Sequence, residues 1–211
     1  MKVTKEKATE NRAALVQAAA SLFREHGIDG VGVAEISKKA GLTHGALYAQ
    51  FPSKEALAAE AFASALKPGL DKLTDPAGRP ASLNDFLDYY LSLGHRDNLA
   101  AGCPMSASAS EIARQDKIVC ERFTEGLEQL VALIEPSLGA SAIGADGRQR
   151  ALAMMAAMIG GVAASRAVAK VDPKLSNQIL RAVRQIVGEV AGGKPGVGGA
   201  RGRARATKRA N

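Results

Sequence analysis

The sequence predicts an all-α protein with an N-terminal head of short helices and a larger, antiparallel helical body, about nine helices in total. Three observations predict this fold class. Aromatic residues make up only 4% of the 211 residues and tryptophan is absent, which disfavours a β-sandwich. Alanine, the strongest helix former, is abundant. Apolar residues recur at spacings of three and four, whereas no stretch alternates with period two for long enough to form a convincing strand.

The head is predicted to contain three helices and a connector helix, over residues 5–26, 33–40, 44–50 and 54–66. Gly27 follows the first helix, at the position where a left-handed residue commonly ends a helix. Thr43 and Ser53 precede the third and fourth helices, where their hydroxyls can accept hydrogen bonds from free backbone amides. Pro68 is expected to end the connector helix, because proline disfavours helical backbone at the residue before it.

The body is predicted to follow a linker at 67–81 that is rich in proline and glycine. Its helices are expected over residues 82–95, 104–114, 116–135, 147–170 and 174–190. The chain therefore divides into a head at 1–66, a body at 67–191 and a tail at 192–211. Glycine, proline and alanine alternate with cations in the tail without apolar periodicity, which indicates disorder.

The basic character of the chain comes almost entirely from that tail. The formal net charge is +7, and residues 192–211 contain six Lys or Arg and no acidic residue. A sequence pI near 9.6 therefore does not make the folded part a basic nucleic-acid binder. Either the tail is a solvated segment with no role, or it is an arm that raises non-specific DNA affinity by releasing counterions.

The segment 33–50 has the pattern of a helix-turn-helix. Gly41 allows a sharp turn between two short helices, and apolar residues on each helix can pack against the first helix of the head. The second helix is then free to enter the major groove of DNA. The predicted DNA-contacting residues on this helix and at its cap are small or polar: Thr43, His44, Gly45, Ala46 and Tyr48. Lys54, at the start of the next helix, is the sixth predicted DNA-contacting residue. We expect Tyr48 and Lys54 to contact phosphates, and His44 to contact a base or a phosphate.

The stretch AAASLFREHGIDGVGVAEISKKAGLTHGALYAQFPSKEALAAEAF resembles the DNA-binding head of the TetR family of transcriptional regulators. The matching features are the "LF…G…G" end of the first helix, "EI…AGL" and "GALYAQFPSKEAL", and they cover residues from about 10 to 62. Val31 and Gly32 depart from the family, which usually carries Ser or Thr before the second helix as a cap and phosphate contact. The resemblance implies a regulator, typically a repressor, that leaves a palindromic operator when an inducer binds the body.

The resemblance also implies that the body binds a small molecule and dimerises through its last two helices. Residues 147–170 are apolar or small around most of the helix, and 174–190 carry one apolar stripe, so both fit a homodimer interface of four helices. We expect the closest helix approach at Gly160. The candidate effector-binding residues are Tyr90, Cys103, Met105, Phe123, Met154 and Met158. Methionine lines adaptable pockets, yet a methionine cluster at helical spacing is more often core.

Cys103 lies at a predicted helix start, a position where thiols can be reactive, and some TetR-like regulators with a similar "GC" look like sensors of electrophiles or oxidants. A small side chain filling a gap is the plainer interpretation. His95 lies eight residues away, so a Cys–His enzyme is the remotest alternative, after an architectural DNA-binding protein with little sequence preference. No motif indicates a metal or nucleotide cofactor. No secretory signal or membrane-spanning stretch is recognisable, so we expect a cytoplasmic protein.

Overall fold

The helices begin and end largely where capping residues stand in the sequence. A computed structural model describes residues 4–74, 82–139 and 146–192. Regular structure in those ranges comprises α1 (Lys5–His26), α2 (Val33–Lys39), α3 (His44–Tyr48), α4 (Lys54–Asp71), α5 (Leu83–Tyr90), α6 (Leu93–Asp97), α7 (Pro104–Ile112), α8 (Lys117–Ile134), a 3-10 turn (Glu135–Ser137), α9 (Gly147–Ala169) and α10 (Pro173–Val190). The all-α prediction is confirmed.

The predicted caps of the head are present. The side-chain oxygens of Thr43 and Ser53 accept hydrogen bonds from the amides of Ala46 and Ala56, at 3.3 and 3.1 Å. Gly27 ends α1 with a φ of 79°, in the region that glycine adopts without steric cost. These contacts satisfy backbone groups that a helix end would otherwise leave without partners.

The predicted end of the connector helix at Leu66 is wrong, because α4 continues through Pro68 to Asp71. Proline inside a helix removes one backbone hydrogen bond and costs about 3 kcal/mol or more. The apolar residues on both sides of it compensate, since Leu66 and Leu73 are buried in the body core and Leu70 packs against it. The predicted linker is thus helical over 67–71, and residues 75–81 lie outside the described ranges.

The predicted helix at 82–95 is also wrong in its extent, because two helices, α5 and α6, occupy the region. Ser92 separates them: its hydroxyl accepts a hydrogen bond from the amide of His95 at 3.1 Å and so begins a new helix. The described ranges therefore contain ten α-helices where the sequence predicts nine. The predicted disordered tail lies outside the described residues from 193 onward.

Two apolar cores meet along α4. The head core joins α1–α4, but it also contains Ile112 of α7 and Val119 of α8 from the body. Phe123 of α8 packs against both cores, and its ring lies 5.7 Å from that of Phe62 on α4. The head is therefore packed firmly on the body, and α4 contributes side chains to both.

The two last helices pack closely at a buried glycine. A Cβ atom on Gly161 of α9 would lie only 2.8 Å from the side chain of Val183 on α10. Ser165 and Ser176 join the same helices by a 2.8 Å hydroxyl–hydroxyl contact. By length and composition α9 alone among the described helices is long and apolar enough to cross a membrane, and 44% of its most apolar window is buried in the fold.

The crossing of α4 and α8 generates a test of this packing. A Cβ atom on Gly126 would lie 2.5 Å from the side chain of Leu66 and 3.1 Å from that of Met105. We expect Gly126→Ala to lower the free energy of unfolding by about 1–3 kcal/mol, because the added methyl overpacks the crossing. Urea unfolding followed by circular dichroism measures this loss.

The matched control is Gly69→Ala in α4, where an added Cβ would meet no atom within 4 Å. That variant should keep the wild-type stability or gain up to about 1 kcal/mol, since alanine is the better helix former. A Gly126→Ala protein as stable as the Gly69→Ala protein would contradict the described crossing.

Candidate DNA-binding face and effector cavity

The turn between α2 and α3 has the geometry that a helix-turn-helix requires. Gly41 has a φ of 68°, a left-handed backbone conformation that residues other than glycine rarely adopt. The amide of Leu42 donates to the carbonyl of Ser37 at 2.9 Å, which closes the turn. Ile36 of α2 and Leu47 of α3 are fully buried in the head core, so α3 is fixed against α1 and α2 through one of its faces.

The opposite face of α3 is open. Thr43, His44, Gly45 and Tyr48 are exposed, and Ala46 is half-buried. No atom lies within 4 Å of a Cβ placed on Gly45, so a ligand could approach the backbone there. The rings of His44 and Tyr48 lie 5.2 Å apart and share this face. The structure thus brings five of the six predicted DNA-contacting residues onto one short helix and its cap.

Lys54, the sixth, lies half-buried in the first turn of α4. At that place its ammonium adds to the positive end of the helix dipole, and free amides of the first turn are also available to an anion. An arrangement of a charged group, helix amides and a tyrosine hydroxyl is typical of a phosphate-binding edge.

A residue that the sequence interpretation missed positions the turn after α3. Arg12 of α1 donates to the carbonyl of Gln50 at 2.6 Å and forms an ion pair with Glu60 of α4. Its guanidinium also lies 4.1 Å from the centre of the Phe51 ring. The contacts join residues 38 and 48 positions apart in the chain, so no local sequence pattern indicated them.

The departure at residues 31 and 32 has a structural counterpart. Val31 is buried in the head core, with 1% of its surface exposed. Gly32 is the N-cap of α2 and supplies no side-chain hydrogen bond. The hydroxyl contact to phosphate that the family resemblance implies at this point is therefore absent from this chain.

A cavity lies in the body between α4, α5 and the segment that precedes α7. The empty space between its lining atoms is about 420 Å³, part of it open to solvent. Aromatic rings of Phe86, Tyr89, Tyr90 and His95 form much of the wall, with Cys103 beside them. Of the predicted effector-binding residues, Tyr90 and Cys103 line this cavity.

The other four predicted effector-binding residues lie elsewhere. Met105, Met154 and Met158 are at most 1% exposed and belong to the body core. Phe123 packs between the two cores. The methionine spacing on α9 thus corresponds to a helix face buried within the chain, which was the alternative left open from the sequence.

The hydroxyl of Tyr90 is a buried polar group without a hydrogen-bond partner in the described part of the chain. Burial raises the pKa of Tyr90 well above its ordinary value, and the neighbouring Cys103 adds to that increase. A buried hydroxyl left unpaired costs free energy, which a bound molecule with an acceptor oxygen would recover. Tyr90 thus contributes a buried, unpaired hydroxyl to the wall of the cavity.

Both ring nitrogens of His95 are engaged by backbone groups. Nδ1 donates to the carbonyl of Tyr90 at 2.6 Å, and Nε2 accepts a hydrogen bond from the amide of Cys103 at 3.0 Å. This pairing fits the neutral imidazole, which has one donor and one acceptor. His95 is thus unavailable as a base for the Cys103 thiol, and the geometry gives no support to a Cys–His enzyme.

Helix α7 connects the cavity with the head. Cys103 is its N-cap and lies at the cavity wall. At the other end, Glu111 accepts a hydrogen bond from the amide of Asp29, at 2.9 Å, in the loop before the helix-turn-helix. Gln115, just beyond α7, donates to the Asp29 carboxylate at 3.1 Å. A displacement of Cys103 can therefore reach the head through α7 as well as through α4.

Comparisons with known proteins agree with this geometry. Residues 15–61 match the family model described as "Bacterial regulatory proteins, tetR family". No curated protein sequence matches the chain. A TetR transcriptional regulator from Chloroflexus aurantiacus is 25% identical, with a TM-score of 0.68 over 86% of this chain and 94% of its own.

Two further solved structures share the fold. Reduced NemR of E. coli is 21% identical, with a TM-score of 0.67 over 84% of this chain and 94% of its own. FadR of Bacillus subtilis, solved in complex with stearoyl-CoA, is 18% identical, with a TM-score of 0.62 over 86% of this chain and 98% of its own. Within the described ranges no cluster of residues could hold a metal ion.

The buried imidazole generates a prediction about acid stability. Burial lowers the pKa of His95, and the nearby Arg166 lowers it further, against an opposing effect of the Tyr90 hydrogen bond. Between that lowered value and the ordinary value near 6.5, the unfolded chain binds a proton that the folded chain does not. The contribution of His95 to the free energy of unfolding should therefore be fully present above about pH 6.5 and fall as the pH drops below that value.

We expect His95→Gln to be less stable than the wild type at pH 7.5 but to lose less stability between pH 7.5 and 5.5. Thermal unfolding at several pH values measures both quantities. His26→Gln is the control, because the His26 side chain is 53% exposed and should leave the wild-type pH dependence unchanged. If thermal stability depends on pH identically in the wild type and in His95→Gln, the lowered pKa of His95 is contradicted.

Proposed function

Because the chain is a DNA-binding transcriptional regulator of the TetR family, we propose that it represses from a palindromic operator as a cytoplasmic homodimer and releases DNA when an effector occupies its body cavity. The single observation that carries the DNA-binding part is the open face of α3, which is capped by Thr43 and anchored by the buried Leu47. A helix held by one face and bare on the other has the arrangement required to enter a major groove.

The proposal gives each residue of that face a role. Tyr48 and Lys54 bind phosphates and fix the position of the head on the duplex without selecting sequence. His44 selects sequence, since an imidazole N–H can donate to guanine N7 or O6. Gly45 and Ala46 carry no bulky side chain, so the helix backbone can come close to the base edges.

Exposed apolar residues on α9 and α10 support the homodimer. Leu175 and Ile186 of α10 are 41% and 54% exposed, and Leu152 of α9 is 37% exposed. Gly160 is also exposed, and a Cβ placed on it would meet no atom within 4 Å. Within the chain the close contact is made by the neighbouring Gly161, so Gly160 is left free for a second copy. Burying these faces against each other would form a two-fold, four-helix interface.

The effector acts through the cavity beside Tyr90 and Cys103. A ligand lodged there displaces α4, α7 or both, and these helices also contact the head. The two heads then lose register with successive major grooves. If the effector binds the displaced state more tightly by about 1.4 kcal/mol, DNA affinity falls tenfold. A reversible ligand with an acceptor oxygen for the Tyr90 hydroxyl is one form of effector. An electrophile that modifies the Cys103 thiol is the other.

Substitutions in the head test the proposed regulator directly. Tyr48→Phe and Lys54→Ala should each weaken DNA binding by about 1 kcal/mol, roughly fivefold, on operator and unrelated duplexes alike, because each removes a phosphate contact. His44→Ala should instead change the preferred sequence. Fluorescence anisotropy with labelled duplexes measures the affinities, and selection from a random duplex pool measures the preference.

Lys117→Ala is the matched control for Lys54→Ala, because the Lys117 side chain is 87% exposed on α8 of the body. It should bind DNA as the wild type does. Unaltered operator affinity in a Tyr48→Phe, Lys54→Ala double variant would exclude the proposed docking of α3.

The dimer interface has its own test. Gly160→Leu should force the paired helices apart by overpacking and raise the dimer dissociation constant at least tenfold, measured by sedimentation velocity. Ala132→Leu, an exposed small-to-large change on α8, is the control and should remain dimeric. A wild-type protein that sediments as a monomer at micromolar concentration would refute the homodimer and remove the reason to expect a palindrome.

A further inference from the structure

A second, cationic groove lies along the junction of head and body. The end of α1, the segment from α6 to α7 and the last turns of α9 enclose it, and the empty space between its walls is about 1190 Å³, part of it open to solvent. It shares no lining residue with the apolar cavity beside Tyr90. Its charged side chains are four cations and two carboxylates: Arg24, Arg96, Arg166, Lys170, Glu25 and Asp97.

Both carboxylates already have a cationic partner. Asp97 forms an ion pair with Arg96 of the groove itself at 2.7 Å, so these two charges offset each other. Glu25 lies 3.9 Å from Lys39, outside the groove. Among the described residues no carboxylate lies within 4.0 Å of the remaining cations of the groove, which leaves it with an excess of positive charge.

Arg24 and Arg166 instead donate to neutral acceptors. Arg24 of α1 donates from Nε to the carbonyl of Ala100 at 2.7 Å, and from Nη2 to the same oxygen. Arg166 of α9 donates to the carbonyls of Arg96 and His95 at 2.9 and 3.1 Å, and to the hydroxyl of Ser106 at 3.3 Å. A guanidinium carries five N–H donors, so both side chains keep donors for a further acceptor.

The two guanidiniums are held by one short segment. Their carbonyl acceptors all lie within residues 95–100, so that the segment fixes one cation from the head and one from the body at the same groove. Burial lowers the pKa of both Arg24 and Arg166. Desolvated charges that meet only neutral carbonyl and hydroxyl oxygens are costly, and an anion between them would offset that cost.

We propose that this groove binds an oxyanion, the carboxylate or phosphate group of a small molecule, between Arg24 of the head and Arg166 of the body. The bound anion joins α1 to α9 and so holds the head in one orientation on the body. The exposed Lys170 adds to the attraction at the rim of the groove. Binding of the anion stands independently of the proposed function, and only its effect on DNA affinity depends on it.

The test uses the full-length protein and two simple probes, inorganic phosphate and succinate, each compared with chloride at equal ionic strength. Both probes carry the shared chemistry, and a difference between them distinguishes phosphate from carboxylate ligands. We expect at least one of them, at tens of millimolar, to raise the Tm by about 3 °C or more over chloride. Arg24→Gln and Arg166→Gln should each remove most of that increase.

Arg148→Gln is the matched control, because Arg148 is exposed on α9 and pairs with Glu128 at 2.8 Å, away from the groove. It should keep the wild-type response. Lys170→Gln, an exposed change at the rim, covers the case in which either arginine variant fails to fold, and it should at least halve the shift in Tm.

Two results would overturn the proposal. One is a wild-type Tm that neither phosphate nor succinate raises above its value in chloride. The other is an equal loss of the response in Arg148→Gln and Arg166→Gln, which would mark a non-specific effect of charge. Neither measurement involves DNA, so failure here leaves the proposed regulator intact, and failure of the Tyr48 and Lys54 tests leaves this site intact.

Discussion

The arrangement of the molecule depends on the packing of α4 against two partners at once. Its N-terminal half lies in the head core with α1, and its C-terminal half crosses α8 at Gly126, where the Leu66 side chain of α4 packs directly against the glycine. Because protein interiors are close-packed, α4 and α8 can repack into a second arrangement, but they cannot move apart gradually without leaving a void. The position of the DNA-binding face is therefore set by the body.

The segment between α5 and α7 depends on a different kind of contact. It passes between the apolar cavity and the cationic groove, and backbone hydrogen bonds hold it on both sides. His95 joins Tyr90 to Cys103 beside the cavity, while Arg24 and Arg166 hold its carbonyls at the groove. A few polar contacts thus hold α6 and the residues that follow it in a defined conformation. Any ligand that enters from either side meets the same short piece of backbone.

Local features were predictable and long-range ones were not. The caps at Thr43 and Ser53 involve residues three positions apart, so the sequence sufficed to place those helix starts. The fate of Pro68 depended on whether residues beyond it were buried by the distant body, which no local pattern records. For the cavity, Tyr90 and Cys103 were identified, but the methionines were not distinguishable from core, since both environments select the same apolar side chains.

The shortness of α3 has a consequence for how such a protein can evolve. Of its five residues, Leu47 alone is buried, and the residues on its open face support no other part of the fold. Surface substitutions away from packing or capping contacts usually change stability by less than about 0.5 kcal/mol. A gene duplicate could therefore acquire a new target sequence through changes at His44, Gly45 or Tyr48 while the folding of the whole chain stays as it was.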